Sequence, residues 1–188
     1  MPQRLKSGQP ATYEDLRRVP DHLIAEIVDG DLYATPRPAL RHALAGLSLG
    51  DELVSPFQKG RGGPGGWWIL VEPELHLASD IVVPDLAAWR RERLTEVPDQ
   101  PFLALAPDWV AEILSPSTAS LDRVKKLSVY AREHVSHVWL LDPVNRTLEV
   151  LALEGTHWII QATYGPAGRV RAAPFDAIEI DLSEVWGS

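Results

Sequence analysis

The chain has 188 residues, 45% of them hydrophobic and 23% charged, with no Cys, the composition of one globular domain that needs neither disulfides nor a Cys-based zinc site. Its 18 Lys and Arg against 26 Asp and Glu leave a net charge of −8, which argues against nucleic-acid binding by bulk electrostatics and leaves room only for local basic groups. No run reaches the roughly 18 apolar residues of a membrane helix. The polar opening stretch with Arg4 and Lys6 has no apolar segment behind it, so a cytoplasmic protein without membrane contacts is expected.

Thr12, with Asp15 three residues on, marks the start of a short helix that stops before Pro20. Leu23 to Val28 and Asp31 to Ala34 flank Asp29-Gly30, a dipeptide that supplies two positive-φ positions, and predict a hairpin. After Pro38, Leu40, Leu44, Leu47 and Leu53 recur at helical spacing up to Ser55-Pro56, in a helix weakened by Gly46 and Gly50. Between Lys59 and Gly66 five of eight residues are Gly, without the Lys-Ser/Thr ending of a phosphate-binding loop, which reads as a connector.

Strands follow at Trp67 to Val71, Glu74 to Ala78, Ile81 to Val83 and Trp109 to Leu114. After a turn at Ser115-Pro116-Ser117-Thr118, Asp122 to Glu133 reads as a helix. Val138 to Leu141, Thr147 to Leu153, Trp158 to Thr163 and Ile178 to Leu182 close the pattern as strands. This order predicts a mixed α/β fold, a central mixed sheet with helices on its faces. One domain spans 1–188, with residues 1–11 a flexible lead-in, 12–153 the core and 154–188 C-terminal strands. Trp67, Trp68, Trp158 and Trp186 suggest either core packing or the contact surface of a homodimer.

Several polar residues interrupt apolar surroundings. Asp85 follows Ile81-Val82-Val83-Pro84, which places it at the end of a central strand or in a turn. Glu112 shares one face of its strand with Val110 and Leu114, so it either reaches solvent or needs a partner, such as a divalent cation shared with Asp85. Asp122, Lys126 and Tyr130 stand at i, i+4 spacing, where an ordinary surface pair is the simplest reading. At about 100° per residue the apolar stripe of Leu121, Val124, Ala131 and Val135 lies largely opposite Lys126. Glu26 sits among Ile24, Ile27 and Val28, and His42 falls in the first turns of the helix after Pro38. His134-Val-Ser-His137 lacks the Glu spacing of a zinc-protease helix, and no Gly-x-Ser-x-Gly elbow occurs.

Taken in order, Glu26-Ile-Val-Asp-Gly30, His42, Val83-Pro-Asp85, Ala111-Glu-Ile-Leu-Ser-Pro-Ser-Thr118, then Asp122, Lys126 and Tyr130, then Val138-Trp-Leu-Leu-Asp-Pro143 resemble the Uma-type family of restriction endonucleases, within the PD-(D/E)XK nuclease superfamily. The resemblance runs from about Thr12 to Leu153 and is most specific between Pro107 and Pro143. It implies a restriction-endonuclease-like core with a divalent-metal site at one sheet edge. Asp85 and Glu112 would be the metal-binding carboxylates, with the Ile113 carbonyl a further ligand to Mg²⁺ or Mn²⁺. Lys126 would be the catalytic lysine, carried on a helix, since the usual strand position two residues after the Glu is Leu114 here. Glu26 would be an acidic site residue, His42 an accessory one, and Asp122 and Tyr130 supporting residues. Glu133-His134 departs from a Gly usual at that turn.

A metal-dependent endonuclease acting on DNA is therefore expected. The alternative is a catalytically weak or inactive scaffold that binds nucleic acid or a protein. A site acidic until metal enters reconciles this with the net charge, and Arg37, Arg41, Lys59, Arg61 and Arg90 to Arg93 are candidates for a basic rim.

Overall fold

The computed structural model describes residues 3–5, 9–116 and 118–186; the remainder of the lead-in and Ser117 of the expected turn lie outside them. Within the lead-in, expected to be flexible, Gln3–Arg4 forms β1, with Gln3 paired to Ala34 and Arg4 to Tyr33. Thr12 opens α1 (Tyr13–Leu16) as a capping box: its hydroxyl accepts from the Asp15 N–H, and the Asp15 carboxylate accepts from the Thr12 N–H at 2.9 Å. β2 (Leu23–Val28) and β3 (Asp31–Pro36) form the expected hairpin, with φ of 52° at Asp29 and 76° at Gly30.

The helix α2 (Leu40–Leu53) continues into a π-helical turn at Val54–Gln58. Of its four leucines read at helical spacing, Leu53 is buried and the other three point outward. Leu40, Leu44 and Leu47 are 90%, 43% and 72% exposed, whereas Ala45, Leu49 and Leu53, at i, i+4 and i+8, are buried. Next come β4 (Trp67–Val71), β5 (Glu74–Leu77), β6 (Asp80–Val82) and β7 (Leu86–Arg90). β7 was not anticipated, because Ala87 and Ala88 are weak strand formers and Pro84-Asp85 has turn chemistry.

β8 (Phe102–Leu103) and β9 (Trp109–Ile113) precede a π-helical segment, Leu121–Lys126, that runs into α3 (Leu127–Arg132). The chain closes with β10 (His137–Asp142), β11 (Thr147–Glu154), β12 (His157–Tyr164), β13 (Arg169–Val170), β14 (Ile180–Asp181) and α4 (Leu182–Val185). Among the described residues no helix is long and apolar enough to cross a membrane.

The fold is a mixed α+β one, built on two six-stranded sheets rather than one. One sheet has the order β1-β3-β2-β6-β5-β8 and the other β12-β11-β10-β9-β7-β4, with β9 and β10 parallel and β5 and β8 parallel. Trp109, Ala111 and Ile113 of β9 pack with α2, Phe175 and α4, while Val110 and Leu114 pack on the other face with Val82, Leu121, Val129 and Tyr130. The expected alternation along β9 therefore holds, and Glu112 belongs to the face toward α3 and the first sheet. The link from β6 to β7 carries Asp85 from one sheet to the other.

The tryptophans that suggested a subunit contact are explained by packing. Trp67 and Trp186 are buried in one core, and Trp68 and Trp158 lie partly buried against the other.

Candidate active site

Glu112 lies in the middle of the second sheet, paired across to Leu140 and 2% exposed. A buried carboxylate requires compensation. It comes from the helix across the sheet face: Lys126 Nζ is 2.8 Å from Glu112 Oε1, and the Tyr130 hydroxyl donates to the same oxygen at 2.5 Å. Lys126 also lies 3.0 Å from Glu26 Oε1 and 3.8 Å from Asp122 Oδ1, and donates to the Val83 carbonyl at 3.2 Å. Glu26 in turn accepts from the Val83 N–H at 2.8 Å. Lys126 is thus a buried cation held by three carboxylates, not one side of a surface pair.

Its burial follows from local geometry. The i→i+5 ladder of the Leu121–Lys126 segment shifts the helical phase, so Leu121, Asp122, Lys126, Val129 and Tyr130 are buried together while Val124 is 67% exposed. The stripe expected from α-helical spacing fails at Val124 for this reason.

Asp85 stands at the edge of the same cluster. Its Oδ2 accepts from the Ile113 N–H at 2.7 Å, and its Oδ1 is 3.3 Å from His42 Nε2. Burial opposes charge on the His42 ring, but bonds to Asp85 and to the Ile113 backbone carbonyl, with the nearby charge of Asp122, outweigh it and raise its pKa. A cleft of about 350 Å³ gathers Glu26, His42, Asp85, Glu112, Asp122 and Lys126 on its walls, so every side chain singled out in the sequence lines it except Tyr130, which lies behind Glu112.

The electrostatics leave this cluster short of positive charge. Burial pushes the Glu112 carboxyl well up; Lys126 opposes this, and Asp122, Asp85 and Glu26 push it further up. Asp122 is raised to about 6, first by burial, against Lys126 and the Thr118 hydroxyl. Burial disfavours charge on Lys126, but Glu112, Glu26, Tyr130 and Asp122 outweigh it and hold its pKa well above the ordinary value. The donor set is of the kind a hard divalent cation takes: Asp85 and Glu112 on the cleft wall and the Ile113 carbonyl beside Asp85 offer only oxygen. Among the described residues no group of three or more acidic, His or Cys side chains is disposed to hold a metal ion by itself.

Two positioning features escaped the sequence reading. Val83 supplies backbone groups to both Lys126 and Glu26. Asp80, 1% exposed, accepts from the Asp29 N–H at 2.7 Å and pairs with Arg132, tying the hairpin that carries Glu26 to the helix that carries Lys126. A carboxylate beginning the apolar run Asp80-Ile-Val-Val83 was the available signal.

The basic groups divide. Arg37 lines the cleft, and Arg41 is exposed beside His42 on α2. Lys59 and Arg61 follow the far end of α2, more than about 20 Å along the chain axis from His42. The Arg90 to Arg93 group is committed to structure. Arg90 and Arg91 stack over Trp67 and Trp68, Arg91 donates to the Gln58 and Trp67 carbonyls, and Arg93 pairs with Asp108 at 2.8 Å.

A model of the Uma2 family, described as "putative restriction endonuclease", matches residues 10–183. Among solved structures, the crystal structure of a "putative nuclease belonging to DUF820" from Anabaena variabilis ATCC 29413 is similar with a TM-score of 0.75 and 19% identity, over 94% of this chain and 98% of that one. A likeness at that identity speaks for a shared fold. A search of curated proteins returns no match.

Proposed function

The chain belongs to the Uma2 family, and from that membership and the carboxylate–lysine cluster we propose that it is a cytoplasmic, Mg²⁺- or Mn²⁺-dependent endonuclease hydrolysing phosphodiester bonds of DNA. The observation that carries this reading is the buried Lys126 held between Glu26 and Glu112 beside Asp85. Asp85, Glu112 and the Ile113 carbonyl would hold the ion. When bound, it supplies a water of lowered pKa and neutralises charge on the phosphoryl oxygens.

The chain's own groups prepare the site. The Ile113 N–H and His42 fix both oxygens of Asp85, and the Tyr130 hydroxyl fixes Glu112 through Oε1. Lys126 keeps its proton, so its Nζ acts as a fixed positive charge for the phosphodiester rather than as a base. Arg37 and Arg41 supply the basic rim nearest the cleft.

Purified protein is expected to nick supercoiled plasmid with Mg²⁺ or Mn²⁺ and not with chelator, with cleavage lost in Asp85→Asn; cleavage independent of metal, or undiminished in the variant, rejects the reading. One observation favours the alternative of a non-catalytic scaffold: the three donors of Lys126 already face Glu26, Glu112 and Val83. Metal binding without cleavage would select it.

A further inference from the structure

A second cavity, of about 410 Å³, opens on the other side of Asp85. It shares Pro38, His42 and Asp85 with the carboxylate cleft, so the two spaces meet at Asp85, and Ile113 lines this second space beside it. Its further walls are largely apolar: Ala43, Gly46, Gly50 and Val54 of the α2 helix and its π turn, facing Leu86 and Val71. Its volume lies within the roughly 300–1,000 Å³ of small-molecule sites.

The two helix glycines differ in what requires them. A Cβ on Gly46 would meet Ile113 Cδ1 at 3.0 Å, so close packing of α2 on β9 accounts for that glycine. A Cβ on Gly50 would find only Leu86 Cδ2 at 3.7 Å, an ordinary contact. Packing does not ask for glycine at 50; what glycine leaves there is open volume in the cavity. The polar groups at the rim, besides those shared with the cleft, are the carboxylates of Asp51 and Glu72, which accept hydrogen bonds and, when ionised, donate none.

We propose that this cavity receives the base of a nucleotide adjoining the phosphodiester held at Asp85, unstacked from its neighbours, with bases that carry an amino group preferred. The proposal rests on the nuclease reading above. Continuity with the cleft sets the occupant: a phosphodiester beside Asp85 brings a nucleoside to the cavity mouth. Aliphatic walls accept the flat faces of a base, and rim carboxylates accept from the amino groups of cytosine, adenine or guanine, which thymine lacks. A base stacked in a duplex cannot reach such a site, so the substrate is single-stranded or locally opened DNA.

The test measures binding with Ca²⁺ in place of Mg²⁺, using single-stranded oligonucleotides that carry 2-aminopurine, an amino-bearing base whose emission rises when it leaves its stack. Wild-type protein is expected to bind them with a rise in emission, and to bind oligo-dT less tightly. Gly50→Leu fills the cavity, and Leu47→Glu places a charge at its exposed mouth without disturbing the core. Each should weaken binding about tenfold or more and abolish the emission change, with Mn²⁺ binding as the check that the fold and carboxylate site are intact.

Equal affinity and emission in wild type and both variants overturn the proposal, as does absence of single-strand binding by the wild type or equal affinity for oligo-dT. A dimeric mass that becomes monomeric in Leu47→Glu with unchanged DNA affinity assigns the mouth to a second copy of the chain and overturns it too. Failure of the nuclease reading is separate: it appears as loss of metal-dependent cleavage by the wild type, whatever the variants bind.

Discussion

Lys126 Nζ and Glu112 Oε1 meet at 2.8 Å although one side chain comes from a helix and the other from the middle of a sheet. The strand position two residues after Glu112 is occupied by Leu114, buried in the apolar core, so the ammonium reaches the carboxylate across the sheet face instead. Both groups are almost fully buried, and their pairing is as much a feature of folding as of chemistry. Lys126→Met, which leaves Glu112 and Glu26 without their cation, should lower unfolding free energy by roughly 3–5 kcal/mol in urea titrations. Adding Glu112→Gln should recover part of that loss. A Lys126→Met change below about 0.5 kcal/mol, the scale of an exposed pair, would contradict the buried arrangement.

Tyr130 does not line the carboxylate cleft and touches it through Glu112. Tyr130→Phe removes one hydroxyl and its 2.5 Å bond while keeping the packed ring. Stability should fall by about 1 kcal/mol. Mn²⁺ affinity and cleavage should fall by roughly 10- to 100-fold, as for other groups that orient a ligand. Unchanged metal affinity would remove Tyr130 from the positioning scheme.

His134 adopts φ 58° just beyond the end of α3, where the Val135 N–H returns to the Tyr130 carbonyl. A left-handed conformation at this position favours glycine, which carries no Cβ. His134→Gly should stabilise the protein by about 1 kcal/mol, read as a higher melting temperature with cleavage unchanged. A lower melting temperature would count against strain at this residue.

Asp142 closes the β10–β11 turn by accepting from the Val144 and Asn145 N–H groups, each at 2.9 Å, and from the Asn145 amide. Partial burial alone would raise its pKa, but these bonds and the charge of Arg123 outweigh it and hold the carboxyl below its usual range. The stabilisation is fully present above the unfolded value, about pH 4, and is lost as pH falls through the folded-state pKa. Asp142→Asn should therefore destabilise at pH 7 and converge with wild type in strong acid. A difference independent of pH would show that charge on Asp142 contributes nothing.

Much of this was legible locally. Asp29-Gly30, the Thr12/Asp15 box and the alternation along β9 are set by neighbours in sequence, and they folded as read. What was not legible depends on partners far along the chain. The leucines read at helical spacing in α2 form a regular stripe, yet Ala45 and Leu49 join Leu53 in the core while Leu40, Leu44 and Leu47 point outward, with Gly46 permitting close approach to Ile113. Asp85, Glu112 and Lys126 each read singly as a turn residue, an exposed strand end or a surface partner; only their resemblance as an ordered series joined them. The π-helical phase that buries Lys126 has no signature in α-helical spacing. Arg90, Arg91 and Arg93 have the spacing of a basic rim, but in the fold they lie over Trp67 and Trp68 and against Asp108.

The central claim is that Asp85 and Glu112 are metal ligands beside a lysine that remains a fixed cation. Calorimetric titration of Mn²⁺ into the metal-free protein tests it most directly, with Asp85→Asn beside it at equal folded content. The account predicts saturable binding in the wild type that Asp85→Asn weakens at least about tenfold. No binding by the wild type, or equal binding by both proteins, would contradict it.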